Sequence, residues 1–415
     1  MSEGADATPA PVHPMRVPGF ARLMGYRLLT ILSYQVVAVA VGWQVYEITR
    51  DPLQLGLIGL AEVIPYFCVA PFAGYLVDHL PRRKLGMAAC AGLAATAIVL
   101  VVVTSSSRAE GHVWPIYGAM ALTGAVRAFL GPVYNALFGR VLAREQYTRG
   151  AGIASIVFQS GLVVGPAIGG LLVGLGDVRI AYAAAILFGL GGALFVGSVR
   201  VTEPAPTLQR GPVFASIAEG ARFVFGHQVL LGALALDMFA VLFGGAISLA
   251  PAFIADVLHE GPEALGILRA APALGSVAIG FWLARHPLER HAGPVMLAAV
   301  AAFGVCMIGF ALSEVLWLSA LFLLLSGVFD GVSVVIRSTI LQLATPDEMR
   351  GRVSSINGIF IGSSNELGAF WSGSMARLLT LVPSVVVGGC LTLGVVAITA
   401  WRAPRLRTLD LRELR

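Results

Sequence analysis

Apolar runs of membrane-spanning length follow one another along almost the whole chain, too closely spaced for any interval to fold a soluble domain. In a bilayer such a run is stable only as a helix that satisfies its own backbone hydrogen bonds, or as part of a closed barrel. A helix crosses the hydrocarbon with roughly 20 apolar residues. By that measure spans fall near 26–48, 53–77, 85–104, 114–140, 150–173, 180–199, 229–255, 264–284, 293–313, 315–342, 353–375 and 380–401. The expected fold class is an all-α polytopic membrane protein of twelve transmembrane helices. Composition points the same way: 57% of the 415 residues are hydrophobic and 12% charged, where a soluble domain carries about 25% charged residues. The spans at 114–140, 229–255 and 315–342 exceed the minimum, which implies tilt or extension past the lipid.

Short basic loops stay in the cytoplasm. Arg82, Arg83 and Lys84 share one loop, Arg140, Arg144 and Arg149 the next but one, and Arg285, Arg290, Arg350 and Arg352 continue the alternation. Both termini are therefore expected in the cytoplasm of a bacterial inner (plasma) membrane protein. The net charge of +5 then reflects topology and anionic headgroups, with no nucleic-acid partner. Residues 1–25 lack the pattern of a cleaved leader and read as a loose cytoplasmic tail. Residues 200–228 contain the Pro-rich "TEPAPTLQRGP" and read as a cytoplasmic linker between halves at 26–199 and 229–401, with a basic tail at 402–415.

The two halves match at an offset of 203 residues, where Trp114, Gly124, Glu145, Arg149, Gly165 and Gly170 meet Trp317, Gly327, Glu348, Arg352, Gly368 and Gly373. The shift lays span on span and loop on loop. Two parallel six-helix repeats are a transporter plan, with substrate held between them near the midplane.

Three motifs carry a family resemblance. "GYLVDHLPRRK" after the second span resembles the signature loop of the major facilitator superfamily through Gly74, Asp78, Arg82 and Arg83, departing from it at Pro81. "GLVVGPAIGG" resembles the superfamily's fifth-helix antiporter motif at Gly161, Gly165, Pro166, Gly169 and Gly170, and Arg127 with Gly131 resembles a motif of proton-coupled exporters. "DPLQLGLIGLAEVIP" and "TPDEMRGRVSSIN" resemble the branch that holds the enterobactin exporter and macrolide efflux proteins. The resemblance implies two pseudo-symmetric halves that alternate access to a central cavity.

Gly161, Gly165 and Gly169 recur every four residues and so line one helix face, where small residues let another backbone approach. Pro166 removes one backbone hydrogen bond there. Ordinary helix packing accounts for the spacing; by resemblance, this helix also seals the extracellular side against the eighth span, with its Gly266, Ala270, Ala273 and Gly275.

Charges deep in a membrane cost at least roughly 2.5 kcal/mol each on insertion scales and call for a reason. Glu62, Arg127, Asp237 and Asp330 are the candidates for proton coupling and central-cavity charge; Arg337 and Glu366 are also deep. Arg127 and Asp330 are related by the repeat and are expected to face one another across the cavity, directly or through water. Glu62 is the first choice for proton carrier: burial favours a protonated carboxyl and a nearby arginine the ionised one, so motion between the two settings loads and releases a proton. A static ion pair is the alternative for each of these charges, and for Arg337 a structural bond or snorkelling is the expectation.

By the same resemblance a cytoplasmic latch would involve Gly74, Asp78, Arg82, Arg83, Arg140, Arg144, Glu348 and Arg352; Thr345 to Glu348 has the form of a helix-capping box. Tyr34, Gln35, Tyr134, Asn135 and Phe239 are candidate substrate contacts. No cofactor is expected: histidines and cysteines show no metal-ligand spacing, and Lys84, the only lysine, precedes Leu85, which excludes an ATP-binding Walker A loop. The expected function is a secondary transporter, not an enzyme, working as a monomer that exports a small amphipathic compound by proton antiport. Uptake by proton symport and a non-transporting receptor or assembly partner are the alternatives.

Overall fold

The computed structural model describes residues 13–106, 112–143, 146–201, 213–286, 288, 290–346 and 349–414. The first half consists of α1 (Pro18–Thr49), α2 (Pro52–His79), α3 (Arg82–Ser105), α4 (Trp114–Val141), α5 (Tyr147–Gly174) and α6 (Val178–Ser198). A short helix, α7 (Val213–Gly226), lies in the expected linker. The seventh crossing is discontinuous: α8 (Gln228–Gly244) gives way to a 3-10 turn at Ala246–Leu249, then to α9 (Ala250–Phe253) and a π-type segment at Ile254–Leu258. The crossings α10 (Glu263–Arg285), α11 (Ala292–Leu312), α12 (Leu316–Ala344), α13 (Arg350–Leu379) and α14 (Leu381–Arg402) follow, then α15 (Pro404–Arg407) and a 3-10 turn at Leu411–Leu414.

Among the described residues, eleven crossings are long and apolar enough to span a membrane. The twelfth, α13, is diluted by its serines, Asn365, Glu366 and Arg377 and packs between α2 and α8. Local chemistry sets several ends. Asp51 caps α2 by accepting from the Leu53 N–H at 3.0 Å, and Asp177 caps α6 by accepting from the Arg179 N–H at 2.8 Å. Arg50 and His259 turn the chain in left-handed conformations at φ 49° and 53°.

Two expected tails contain folded structure. Pro18 sits at the first helical position, where its missing N–H costs nothing, and Phe20, Leu23 and Met24 of α1 are buried with Val133, Leu137 and Leu142. After residue 402, Leu406 and Leu409 are buried beneath α11. Gly293 donates its N–H to the Leu409 carbonyl at 3.1 Å, and any β-carbon there would strike the Leu406 carbonyl. The linker is likewise partly folded: α7 lies on α13 and α8.

The repeat is visible in the packing. α1 packs on α5 and α6 as α8 packs on α13 and α14, and α2 on α4 as α10 on α12. The 203-residue offset holds to within one residue for the last three helices of each half, whose starts pair as Trp114 with Leu316, Tyr147 with Arg350 and Val178 with Leu381. It widens for the earlier helices because α11 and the connection Ser313–Val315 are both shorter than α3 and the connection that follows it.

Candidate functional site

The halves meet along two seams, α5 on α10 and α2 on α13. In the first, a β-carbon on Gly170 would collide with the Gly266 backbone, and one on Gly266 would stand 3.0 Å from the Ala167 carbonyl oxygen. In the second, a β-carbon on Gly56 would lie 2.9 Å from both the Ala369 carbonyl oxygen and the Phe370 Cα, and one on Gly373 would lie 2.7 Å from the Pro52 carbonyl oxygen. Gly170 and Gly373 are repeat partners, so each half supplies one backbone-to-backbone contact. The Gly161, Gly165 and Gly169 face turns elsewhere, onto Ile31, Gln35 and Val39 of α1 in the same half. The fifth-helix motif thus divides: three glycines seat α5 on α1, while Pro166, Ala167 and Gly170 meet the eighth crossing.

Polar ties join the halves at the same end. The Tyr46 hydroxyl donates to the Asp256 carboxylate, Arg50 approaches Asp256 at 3.9 Å, and Arg377 pairs with Asp51 at 3.3 Å. At the opposite, arginine-rich end, a β-carbon on Gly74, Gly152, Gly280 or Gly358 would meet no described residue of another helix within 4 Å. The close backbone contacts and polar ties described between the halves thus gather towards one end of the interface.

Beneath the closed seams lies a group of charges. A β-carbon on Gly124 would overlap the Glu62 carbonyl, so α2 and α4 touch backbone to backbone at this level. Arg127, one turn further along α4, forms an ion pair with Glu62 and stacks its guanidinium 4.4 Å from the Tyr34 ring centroid. Gly59, one turn before Glu62, leaves the room that Glu366 of the other half occupies: a β-carbon there would sit 3.0 Å from Glu366 Oε2. Glu366 is within electrostatic reach of both Arg127 and Arg269. Arg269 on α10 has its Nε buried without a hydrogen-bond partner.

The remaining deep charges separate from this group. Asp237 pairs with Arg337, with only 8% and 6% of their side chains exposed; this is the structural bond expected for Arg337. Asp330 makes no ion pair among the described residues. Arg127 and Asp330 form no direct ion pair; the partner of Arg127 is Glu62 of its own half, brought near by the close approach of α2 and α4 at Gly124.

Of the expected substrate contacts, Tyr34 lies under Arg127 and Gln35 packs on Gly165. Tyr134 carries the Arg27 guanidinium 3.9 Å above its ring, and Asn135 is exposed. Phe239 stacks on Phe243 and lines a cleft formed by α8 and α14, to which no described residue of the first half contributes. Of the latch residues, Arg83 donates to the Gly197 carbonyl, Arg140 lines a surface cavity, and Arg352 pairs with Glu219 of α7 at 2.6 Å. The Asp78 side chain, Arg144 and Glu348 lie outside the described residues. Arg27 and Arg269 escape the sequence reading because each stands near a span's end, where an arginine ordinarily snorkels. An arginine one or two turns inside an apolar run was the available signal.

Comparisons with known proteins agree with this architecture. A family model described as Major Facilitator Superfamily matches residues 23–369. The multidrug efflux pump Tap of Mycolicibacterium fortuitum is 28% identical over 400 residues, covering 91% of this chain and 93% of its own. The enterobactin exporter EntS of Escherichia coli O81 (strain ED1a) is 27% identical over 388 residues, covering 90% and 88%. Among solved structures, a bacterial homolog of the human lysosomal transporter Spinster, inward-facing and unoccupied, superposes with a TM-score of 0.73 at 16% identity over 97% of this chain and 98% of its own. The D-xylose-proton symporter superposes with a TM-score of 0.72 at 11% identity, covering 94% and 99%.

Proposed function

The chain belongs to the Major Facilitator Superfamily, and from that premise we propose that it exports a small amphipathic compound in exchange for protons. The observation that carries the reading is the Glu62–Arg127 pair, set in the membrane interior within reach of Glu366 on the other half. A proton taken up by Glu62 removes the charge that holds Arg127. The guanidinium is then attracted to Glu366 across the seam, so the protonation of one carboxylate alters how strongly the halves adhere. Tyr34, stacked on Arg127, transmits the same change to α1.

With the arginine-rich end placed in the cytoplasm of an inner membrane, the conformation is inward-facing, sealed outside by Gly170 on Gly266 and Gly56 on Phe370. Two relatives lend the cargo classes: a multidrug efflux pump and an enterobactin exporter. Drug-like molecules and siderophores are therefore the compounds to try. As a monomer the chain holds every group this scheme uses.

The test is proton movement in liposomes containing the oriented protein, with dyes, antibiotics and siderophores added in turn. Compound-triggered flux that disappears in Glu62→Gln supports antiport through this carboxylate. Uphill transport retained by that variant removes Glu62 from the mechanism, and binding of a compound without any flux rejects proton coupling.

A further inference from the structure

We propose that a cavity at the arginine-rich membrane surface binds the phosphate group of an anionic lipid. The cavity, of about 360 Å³, lies among the ends of α1, α4 and α6. Arg22, Arg140 and Arg200 converge on it, with Val17, Pro18 and Val141 as apolar walls, and no carboxylate is among its described lining. The positive-inside rule explains why arginines are abundant on this face, but not why three of them share one cavity. Nor are all three needed to neutralise helix ends. The C-terminal carbonyls of α6 are already taken by Arg22, which donates to Ser198 at 2.6 Å, and by Arg83, which donates to Gly197. Arg140 and Arg200 make no ion pair or hydrogen bond to any described residue. Like charges gathered with no counter-ion among the described residues repel, and a phosphate relieves that repulsion while accepting paired N–H bonds from a guanidinium.

The surroundings favour a lipid over a phosphate in solution. Leu187, Leu190 and Leu194 stand exposed along the outer face of α6, 69%, 47% and 76% accessible. They lead along the helix to Ser198, whose carbonyl Arg22 holds beside the cavity. Acyl chains laid on that strip bring a headgroup to the arginines. Basic pockets between transmembrane helices on the cytoplasmic side recognise such headgroups through the same chemistry.

The experiment uses the full chain in bilayers of phosphatidylcholine with and without phosphatidylglycerol, followed by native mass spectrometry of retained lipid. Phosphatidylglycerol is expected to be retained in preference to phosphatidylcholine. Arg140→Gln should weaken its retention about fivefold, and Arg140→Gln with Arg200→Gln about 25-fold, at the usual contribution of a basic residue near an anionic surface. Arg285→Gln, on the same face but outside the cavity, should leave retention unchanged. Undiminished retention in the double variant overturns the site. Displacement of the lipid by inorganic phosphate overturns the lipid assignment and leaves a site for soluble phosphate groups. If the double variant does not fold, Arg200→Gln alone, beyond the end of α6, carries the same fivefold readout.

Discussion

Two ion pairs inside this membrane protein are built from the same chemical groups and are placed to do different things. Asp237–Arg337 lies within the second half, joining α8 to α12, with both side chains almost wholly enclosed. Glu62–Arg127 joins α2 to α4 in the first half, but Arg127 keeps 30% of its side chain exposed against 10% for Glu62, and Glu366 of the other half is in range. On the function proposed above, the enclosed pair acts as a clamp, and the pair with a further carboxylate of the other half in range acts as a switch. The backbone prepares the difference, since Gly59 and Gly124 are the residues that admit Glu366 and α4 to the neighbourhood of Glu62.

The largest expected effect breaks the clamp. Asp237→Ala leaves Arg337 buried without a counter-charge, which costs about 3–5 kcal/mol; thermal unfolding in detergent should show a large loss of folded protein. Replacing both partners together, Asp237→Leu with Arg337→Met, should restore stability, since a well-packed apolar pair often equals a buried ion pair. A double variant as unstable as the single one would show that the pair does more than clamp.

Glu62→Gln should behave differently. Arg127 retains Glu366, Tyr34 and partial exposure, so the stability loss is expected to stay near 1–3 kcal/mol, while proton-coupled flux disappears. If Glu62→Gln unfolds the protein as thoroughly as Asp237→Ala, the contrast between switch and clamp fails.

Gly170→Leu and Gly165→Leu sharpen the contrast at the level of backbone. Overpacking costs about 1–3 kcal/mol at either position, but the consequences diverge. At Gly170 the side chain drives α5 from α10, so the closed end should open and its residues become reactive to water-soluble thiol probes after cysteine substitution there. At Gly165 the added bulk meets Gln35 inside one half, so folded yield should fall without a change in accessibility.

The smallest effect supplies a baseline. Asp177 and Arg179 pair at the exposed start of α6 at 2.8 Å, and the N–H that Arg179 donates from its backbone holds the Asp177 carboxyl below the usual carboxylate range, with the guanidinium adding to it. A depressed folded value means the stabilisation is present above the ordinary carboxylate range and is lost as pH falls through the lowered value. Amide exchange in the first turn of α6 should therefore quicken only in strong acid, with no effect on transport at neutral pH.

Much of the architecture was legible in the chain alone. Hydropathy placed twelve spans where the crossings lie, eleven of them because in lipid a helix must be apolar over a fixed length whatever it packs against; α13, diluted by its polar residues, is the weakest of the twelve by that measure. The repeat offset and the rows of small residues were legible for a related reason: small side chains are what close helix approach demands. Glu62, Arg127 and Asp237 were recognisable as costly charges from their depth alone.

What those charges pair with was decided by tertiary structure. Depth along a helix says nothing about azimuth or about which neighbour comes near. The repeat suggested Arg127 against Asp330, whereas the contact of Gly124 with the Glu62 carbonyl placed Arg127 on Glu62. Likewise the sequence grouped Gly165, Gly169 and Gly170 in one motif. The turn of the helix between Gly169 and Gly170 sends the former to α1 and the latter to α10, because adjacent helical positions point about 100° apart. Periodicity and transfer energy act along one segment at a time and can be read from it; the choice of partner depends on where separate segments meet in three dimensions.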